Sequence, residues 1–312
     1  MSDLFSKAVS ALFLLTVLCF PASIAASSAP QEAIDEELYA PSSIGEAFVG
    51  EVLAYDIGFW FFHGIAEGIL VLKEDGPGRY VATFSARTNG VLDTFLKHRR
   101  DRYIARLRLS EDGKRFLTES FEKEVSIDGK GVRRSVHKVD YDARTVSSRS
   151  WGVGKPEKNT FEKIPDGVYT DDPLAALYNF RFGVYGPIAE GKGYKIMTLP
   201  KEDRIPEISI RIVSEKEFRK RGRKGDADFL ADARIDKDLF GSTSGDIEIF
   251  FTRDMLPVHA IAKGIILFGD VKGKLREAIP GGALKKVENR PHSLPTLKNT
   301  NSAAARADMT AP

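Results

Sequence analysis

Cysteine is nearly absent from this chain: Cys19 is the single one in 312 residues. No internal disulfide can form, and cysteine-based zinc or iron–sulfur sites are excluded. A dominant charge is missing as well. The 46 basic and 44 acidic residues leave a net charge of +2, which excludes the global positive field of a dedicated nucleic-acid binder. The histidines His63, His98, His137, His259 and His292 form neither a His-x-His nor a His-Glu-x-x-His pair, so no local metal-ligand motif is present. No Gly-x-Ser-x-Gly elbow, no phosphate-cradling Gly-x-x-x-x-Gly-Lys loop and no dinucleotide fingerprint after a strand is read in the chain. Nucleotide-driven chemistry is therefore not expected, and no cofactor or metal is assigned.

Long apolar runs are also scarce, and the clearest one lies at the start. Lys7 precedes the run Val9 to Phe20, which is closed by Pro21 and followed by Ala22-Ser23-Ile24-Ala25-Ala26. This is the basic, apolar and small-residue order of a secretory signal. Ser23 and Ala25 suit the −3 and −1 positions, so residues 1–25 are read as a cleaved signal peptide. The run falls short of the roughly 20 apolar residues that span a bilayer, and no transmembrane segment is expected after cleavage. Cys19 sits inside the run behind Leu18, where a lipoprotein signal needs a small residue, so the mature chain is expected to hold no cysteine. The expected location is the periplasm or the periplasmic face of an outer membrane.

Residues 26–47 are rich in Ser, Pro and acid and lack periodicity, and are read as a flexible acidic leader. Residues 281–312, with five Lys and Arg against Glu288 and Asp308, are read as a disordered basic tail. Between them, residues 48–280 form one β-rich domain. Short segments alternate with period two: Val52 to Phe61, Ile65 to Lys73, Arg79 to Arg87, His98 to Leu109, Arg115 to Ile127, Gly131 to Tyr141, Thr145 to Val153 and Thr160 to Ile164. Others follow at Tyr194 to Leu199, Ile208 to Val213, Asp228 to Ile235, Asp246 to Arg253, Val258 to Leu267 and Val271 to Leu275. Asp128-Gly129 marks a hairpin turn. One segment reads as helix, with Asp172 as its cap, Pro173 at the first position, and Leu174, Leu177, Tyr178 and Arg181 at helical spacing. Val91 to Lys97 is a candidate short turn of helix. A dozen or more strands with one or two short helices predict a mainly β fold, a large curled antiparallel sheet or open β-barrel with a helix closing its open side.

The candidate chemistry is binding. The aromatic run Phe59-Trp60-Phe61-Phe62 fits a strand buried on both faces, or one face of an apolar cavity of the kind that sheet barrels enclose. Tyr55, Phe59, Trp60, Phe61 and Tyr178 are the candidate cavity residues, with Arg181 placed to meet an anionic headgroup. Two basic clusters, Lys97 to Arg108 around Arg100 and Arg102 and Lys216 to Lys224 with Arg219, Lys220, Arg221 and Arg223, each hold six cations against one carboxylate. They are read either as solvated faces or as contacts for an anionic surface. Because it contains Gly222 and is followed by Gly225 between strands, the second cluster is expected at a hairpin tip. Asp171-Asp172 is read as a helix cap, not as a catalytic carboxylate pair.

Several stretches together resemble the bacterial exported family catalogued as domain of unknown function 3108. They are Gly50-Glu51-Val52-Leu53-Ala54-Tyr55-Asp56-Ile57 with Gly64-Ile65-Ala66-Glu67-Gly68, the helix Asp172 to Arg181, and the ending Ile249 to Asp254, Leu256-Pro257-Val258 and Gly264 to Leu275. The resemblance implies an envelope location and a mainly β fold, and it supplies no catalytic residues. The heavy aromatic run and the Arg219 to Lys224 cluster depart from that family's pattern. The expected function is non-enzymatic binding or carriage of a lipid, glycolipid or other amphiphile. The alternatives are an envelope assembly factor that binds protein partners and, last, a hydrolase of envelope polymers.

Overall fold

The computed structural model describes residues 41–60, 62–90, 93–94, 97–201, 204–237, 242–265 and 269–282. The stretches read as signal peptide, most of the leader, most of the Val91 to Lys97 turn and nearly all of the tail lie outside the described residues. The leader reading stops too late at Ala47. Ser43 accepts a hydrogen bond from the Glu46 N–H at 3.1 Å and so caps a short helix, α1 (Ile44–Phe48). Ile44 is fully buried, and its N–H donates to the Gly113 carbonyl at 3.0 Å. Gly45 lies so close to Tyr80 that a Cβ there would overlap the phenol.

The described strands form a single fourteen-stranded antiparallel sheet. Its first arm runs through β1 (Val52–Phe59), β2 (Phe62–Glu74), β3 (Arg79–Thr88), β4 (Arg100–Leu109), β5 (Phe116–Ile127), β6 (Gly131–Asp140), β7 (Thr145–Gly152) and β8 (Lys155–Lys163). The second runs through β9 (Gly193–Met197), β10 (Glu207–Ile212), β11 (Phe229–Arg234), β12 (Asp246–Phe251), β13 (Pro257–Ile265) and β14 (Gly269–Ile279). The arms join where β1 pairs with β14, Val52 facing Ile279, so β8 and β9 are the two ends of the strand order. The sheet is curled and unclosed. Lys155, Pro156, Lys158 and Lys163 occupy the exposed β8 edge, and lysine and proline of this kind discourage edge-to-edge pairing.

Alternation gives the sheet one wet and one buried face. Along β4, Asp101, Tyr103, Ala105 and Leu107 are buried while Arg100, Arg102 and Arg106 are exposed, as the period-two reading requires. The inward residues of both arms merge into one core around α2 (Pro173–Arg181). This helix begins at Asp172, whose Oδ1 accepts from the N–H groups of Leu174 at 2.8 Å and Ala175 at 3.2 Å. It is buried on every side: Phe180 packs on Tyr194 and Phe251, and Tyr178 packs on Phe48 and Phe116. A smaller core lies on the convex face, where Phe218 of α3 (Glu215–Arg221) packs with Leu230, Phe250 and Ile261.

The basic Arg219 to Lys224 stretch is thus a helix end and not the hairpin tip expected from its glycines. Ser214 caps α3, acidic Glu215 and Glu217 occupy its first turn, and basic side chains occupy its last, the arrangement that the helix dipole favours.

Candidate functional site

A cavity of about 490 Å³ fills the concavity of the sheet, within the range of small-molecule sites. Leu174, Leu177 and Phe180 of α2 enter it from the centre. Ile210, Ile249 and Phe251 wall it on the second arm, and Leu70, Phe84 and Tyr103 on the first.

The wall changes character along the first arm. Cross-strand neighbours run Leu53, Leu70, Phe84, Tyr103 over β1 to β4 and continue as Lys123, Ser135, Ser150 and Lys158 over β5 to β8. The adjacent row passes from Ala105 and Phe121 to His137, Ser148 and Thr160. An apolar trough therefore ends in a polar arm. There His137 Nδ1 lies 2.7 Å from Ser148 Oγ. Burial, reinforced by the like charge of Lys123, pushes the His137 pKa down to about 4. Burial also lowers the Lys123 ammonium from its usual range, with Asp101 opposing. Lys123 Nζ sits 5.4 Å from the Tyr103 ring centroid.

A second polar group anchors α2 beside the cavity. Asp171 accepts from Arg115 at 2.8 Å, from Asn179 at 2.9 Å and from the Tyr185 hydroxyl. Asp172 Oδ2 accepts from the Thr118 hydroxyl at 2.7 Å, and desolvation moves its pKa up to about 6. The helix-cap reading of Asp172 holds, and both carboxylates are engaged in holding structure.

Of the candidate cavity residues, Tyr55 lines the wall. Phe61 lies outside the described residues. The aromatic run does not form one buried strand. Trp60 takes a left-handed φ of 51° at the β1–β2 turn, which sends Phe59 into the core while Trp60 is 56% and Phe62 37% exposed. Tyr178 and Arg181 are not among the residues that line the cavity, although Leu174, on the same helical stripe, is. Tyr178 packs on Phe48 and Phe116 instead. Arg181 meets no headgroup: its Nη1 and Nη2 donate to Glu51 at 2.7 and 2.6 Å, and its Nε donates to the Met255 carbonyl at 2.9 Å.

The anionic-surface candidates divide. Arg219 pairs with Glu215, and Arg221 pairs with Glu217, Asp232 and Glu248, so Arg219 is paired within α3 and Arg221 to carboxylates of α3, β11 and β12. Arg223 lies over the Phe218 ring at 5.6 Å. Lys220 is exposed at the helix end, and Lys224 beyond it is half-buried. Arg100 and Arg102 project from the convex face of β4, while neighbouring Arg99 is buried against Asp101 at 2.7 Å. Gly186 to Lys192 spells Gly-x-x-x-x-Gly-Lys, but it runs into Gly193 and β9 and so has no following helix to seat a phosphate.

Sequence reasoning missed Lys123, Ser135 and Ser150. A signal for Lys123 existed in Phe121, Lys123 and Val125, which share one face of an alternating strand. The placement of a lysine inside depended on strand register. Among the described residues no group of three or more His, Cys, Asp or Glu is placed to hold a metal, and no helix is long and apolar enough to cross a membrane.

No family model matches the chain, and no curated protein matches it. Among solved structures it is similar to the crystal structure of a beta-barrel-like protein of domain of unknown function DUF1849 from Brucella abortus, at 14% identity and a TM-score of 0.43, over 75% of this chain and 98% of that one.

Proposed function

We propose that this protein binds an apolar or amphiphilic ligand, such as a lipid or glycolipid, in the trough of its curled sheet, and that it does so after export to the cell envelope, as the first 25 residues and the resemblance to domain of unknown function 3108 suggest. The observation that carries the reading is the cavity of about 490 Å³ walled by both arms and α2. A packed interior leaves few voids larger than a water molecule, and an apolar space of this size beside a polar arm matches the two ends of an amphiphile. The unclosed β8 and β9 ends supply a lateral entrance that a fully paired barrel would lack.

Native mass spectrometry of the protein purified from its own compartment, joined to uptake of a fluorescent fatty acid, tests this. A co-released lipid mass or saturable uptake is expected. Absence of both removes the binding reading. N-terminal sequencing of the same sample, expected to begin at Ala26, tests export separately.

A further inference from the structure

Lys123 stands where the apolar trough gives way to the polar arm, between Tyr103 on β4 and Ser135 on β6. Among the described residues no hydrogen bond or ion pair reaches its ammonium, whose neighbour is the face of the Tyr103 ring. The nearby carboxylate is committed elsewhere: Asp101 is held by Arg99 through two hydrogen bonds of 2.7 Å, with both side chains fully buried. A half-buried cation without its own counter-ion gains from an anion that pairs with it. The wall beside it consists of hydroxyls, Ser135 directly across and Ser150 one strand further.

Resting on the binding reading above, we propose that Lys123 is the anchor for the carboxylate of a single-chain amphiphile, whose hydrocarbon tail lies in the trough along Leu177, Phe180 and Ile249. The charge count selects the headgroup. His137 engages Ser148 through Nδ1 and is neutral at pH 7. Arg149 turns to Glu157 at 2.7 Å. Lys158 lies three strands from Lys123, about 14 Å at the usual strand spacing. A monoanion matches one ammonium flanked by hydroxyls, whereas a phosphate dianion would leave a charge uncompensated in the same space.

The test uses the mature protein and displacement of the uncharged dye N-phenyl-1-naphthylamine. Hexadecanoate is expected to displace it at concentrations at least tenfold below those needed for hexadecanol or hexadecyl phosphate, and acetate alone should not displace it. Lys123→Met, and independently Lys123→Gln, should bring hexadecanoate to the level of hexadecanol, while Lys195→Gln, an exposed lysine of β9 outside the cavity, keeps the preference. Equal potency of acid and alcohol on the unaltered protein overturns the carboxylate anchor and leaves the cavity reading standing, and this arm needs no variant to fold. Tighter binding of hexadecyl phosphate, or displacement by acetate, also overturns it. A protein that takes up neither dye nor any chain removes the cavity reading and the anchor together.

Discussion

Asn179 gives Phe116 the two hydrogen bonds that a neighbouring strand would supply: its Oδ1 accepts from the Phe116 N–H at 2.8 Å and its Nδ2 donates to the Phe116 carbonyl at 2.9 Å. β6 reaches only to Ser120 along β5, so the start of β5 would otherwise present a buried, unsatisfied edge. A helix side chain completes the sheet there and fixes the height of α2 over the cavity. Asn179→Leu strands both backbone groups and should cost about 2–4 kcal/mol in urea denaturation. Asn179→Asp should cost more at pH 7, because an oxygen then faces the Phe116 carbonyl and Asp171, and it should recover part of the loss at pH 5.

The Glu51–Arg181 pair joins α2 to the chain just before β1, and through Met255 to the β12–β13 turn. Arg181→Met is expected to destabilise by roughly 3–5 kcal/mol, since it leaves a buried carboxylate alone. Glu51→Leu combined with Arg181→Met should cost clearly less than the two single changes added. Strict additivity in a double-mutant cycle would show that the ions do not act as a pair.

His137 makes stability depend on pH in a defined sense. Its folded pKa of about 4 lies below its unfolded value of 6.5, so between these values the unfolded chain holds more protons and stability rises with pH. Acidification from pH 6.5 to pH 4 should therefore remove roughly 3 kcal/mol through this residue. Asp172, raised from 3.8 to about 6, acts in the opposite direction, but it does so in parent and variant alike. The difference in stability between His137→Gln and the parent, measured by urea titration across the window, should shift in favour of the variant as pH falls.

Leu177 is half-buried and faces the cavity from α2. Leu177→Trp should fill the trough and reduce uptake of an apolar dye at least tenfold, with little change in the thermal midpoint. Unaltered uptake in a folded Leu177→Trp protein would place the ligand elsewhere.

Phe218→Ala should cost about 3–5 kcal/mol by opening the convex core and freeing α3. Because Phe218 and the cavity lie on opposite faces of the second arm, dye binding by the remaining folded protein should keep its affinity. A parallel loss of affinity would mean that the two faces are coupled.

Much of the sheet is legible from residue order, because a strand with one wet and one buried face writes its period directly into the sequence. His98 to Leu109 alternates Arg with Tyr, Ala and Leu, and β4 lies inside it. Asp172-Pro173 marks the start of α2 for an equally local reason, a cap followed by a residue that lacks an N–H. The site was harder to read because it is built from neighbours across strands. Nothing local says that Lys123 faces Tyr103 and Ser135, since that depends on register. Arg181 and Tyr178 have helical spacing, but spacing alone does not tell which of two buried faces meets the cavity. The Arg219 to Lys224 cluster looks like a free positive patch until Asp232 and Glu248 are brought beside it by β11 and β12.

The strand order also bears on how the molecule assembles. Among the described strands every ladder within an arm joins strands adjacent in the sequence, and β1 with β14 is the ladder that links distant parts of the chain. Such local pairings lower the entropy cost of early folding, so each arm can zip up as its own meander. The β1–β14 seam then closes a loop of more than two hundred residues, and α2, which lies in the sequence between the arms, becomes enclosed only when they meet. A circular permutant with its ends in the β8–α2 connection would make β1 and β14 neighbours in sequence. It should fold faster than the natural chain while building the same trough.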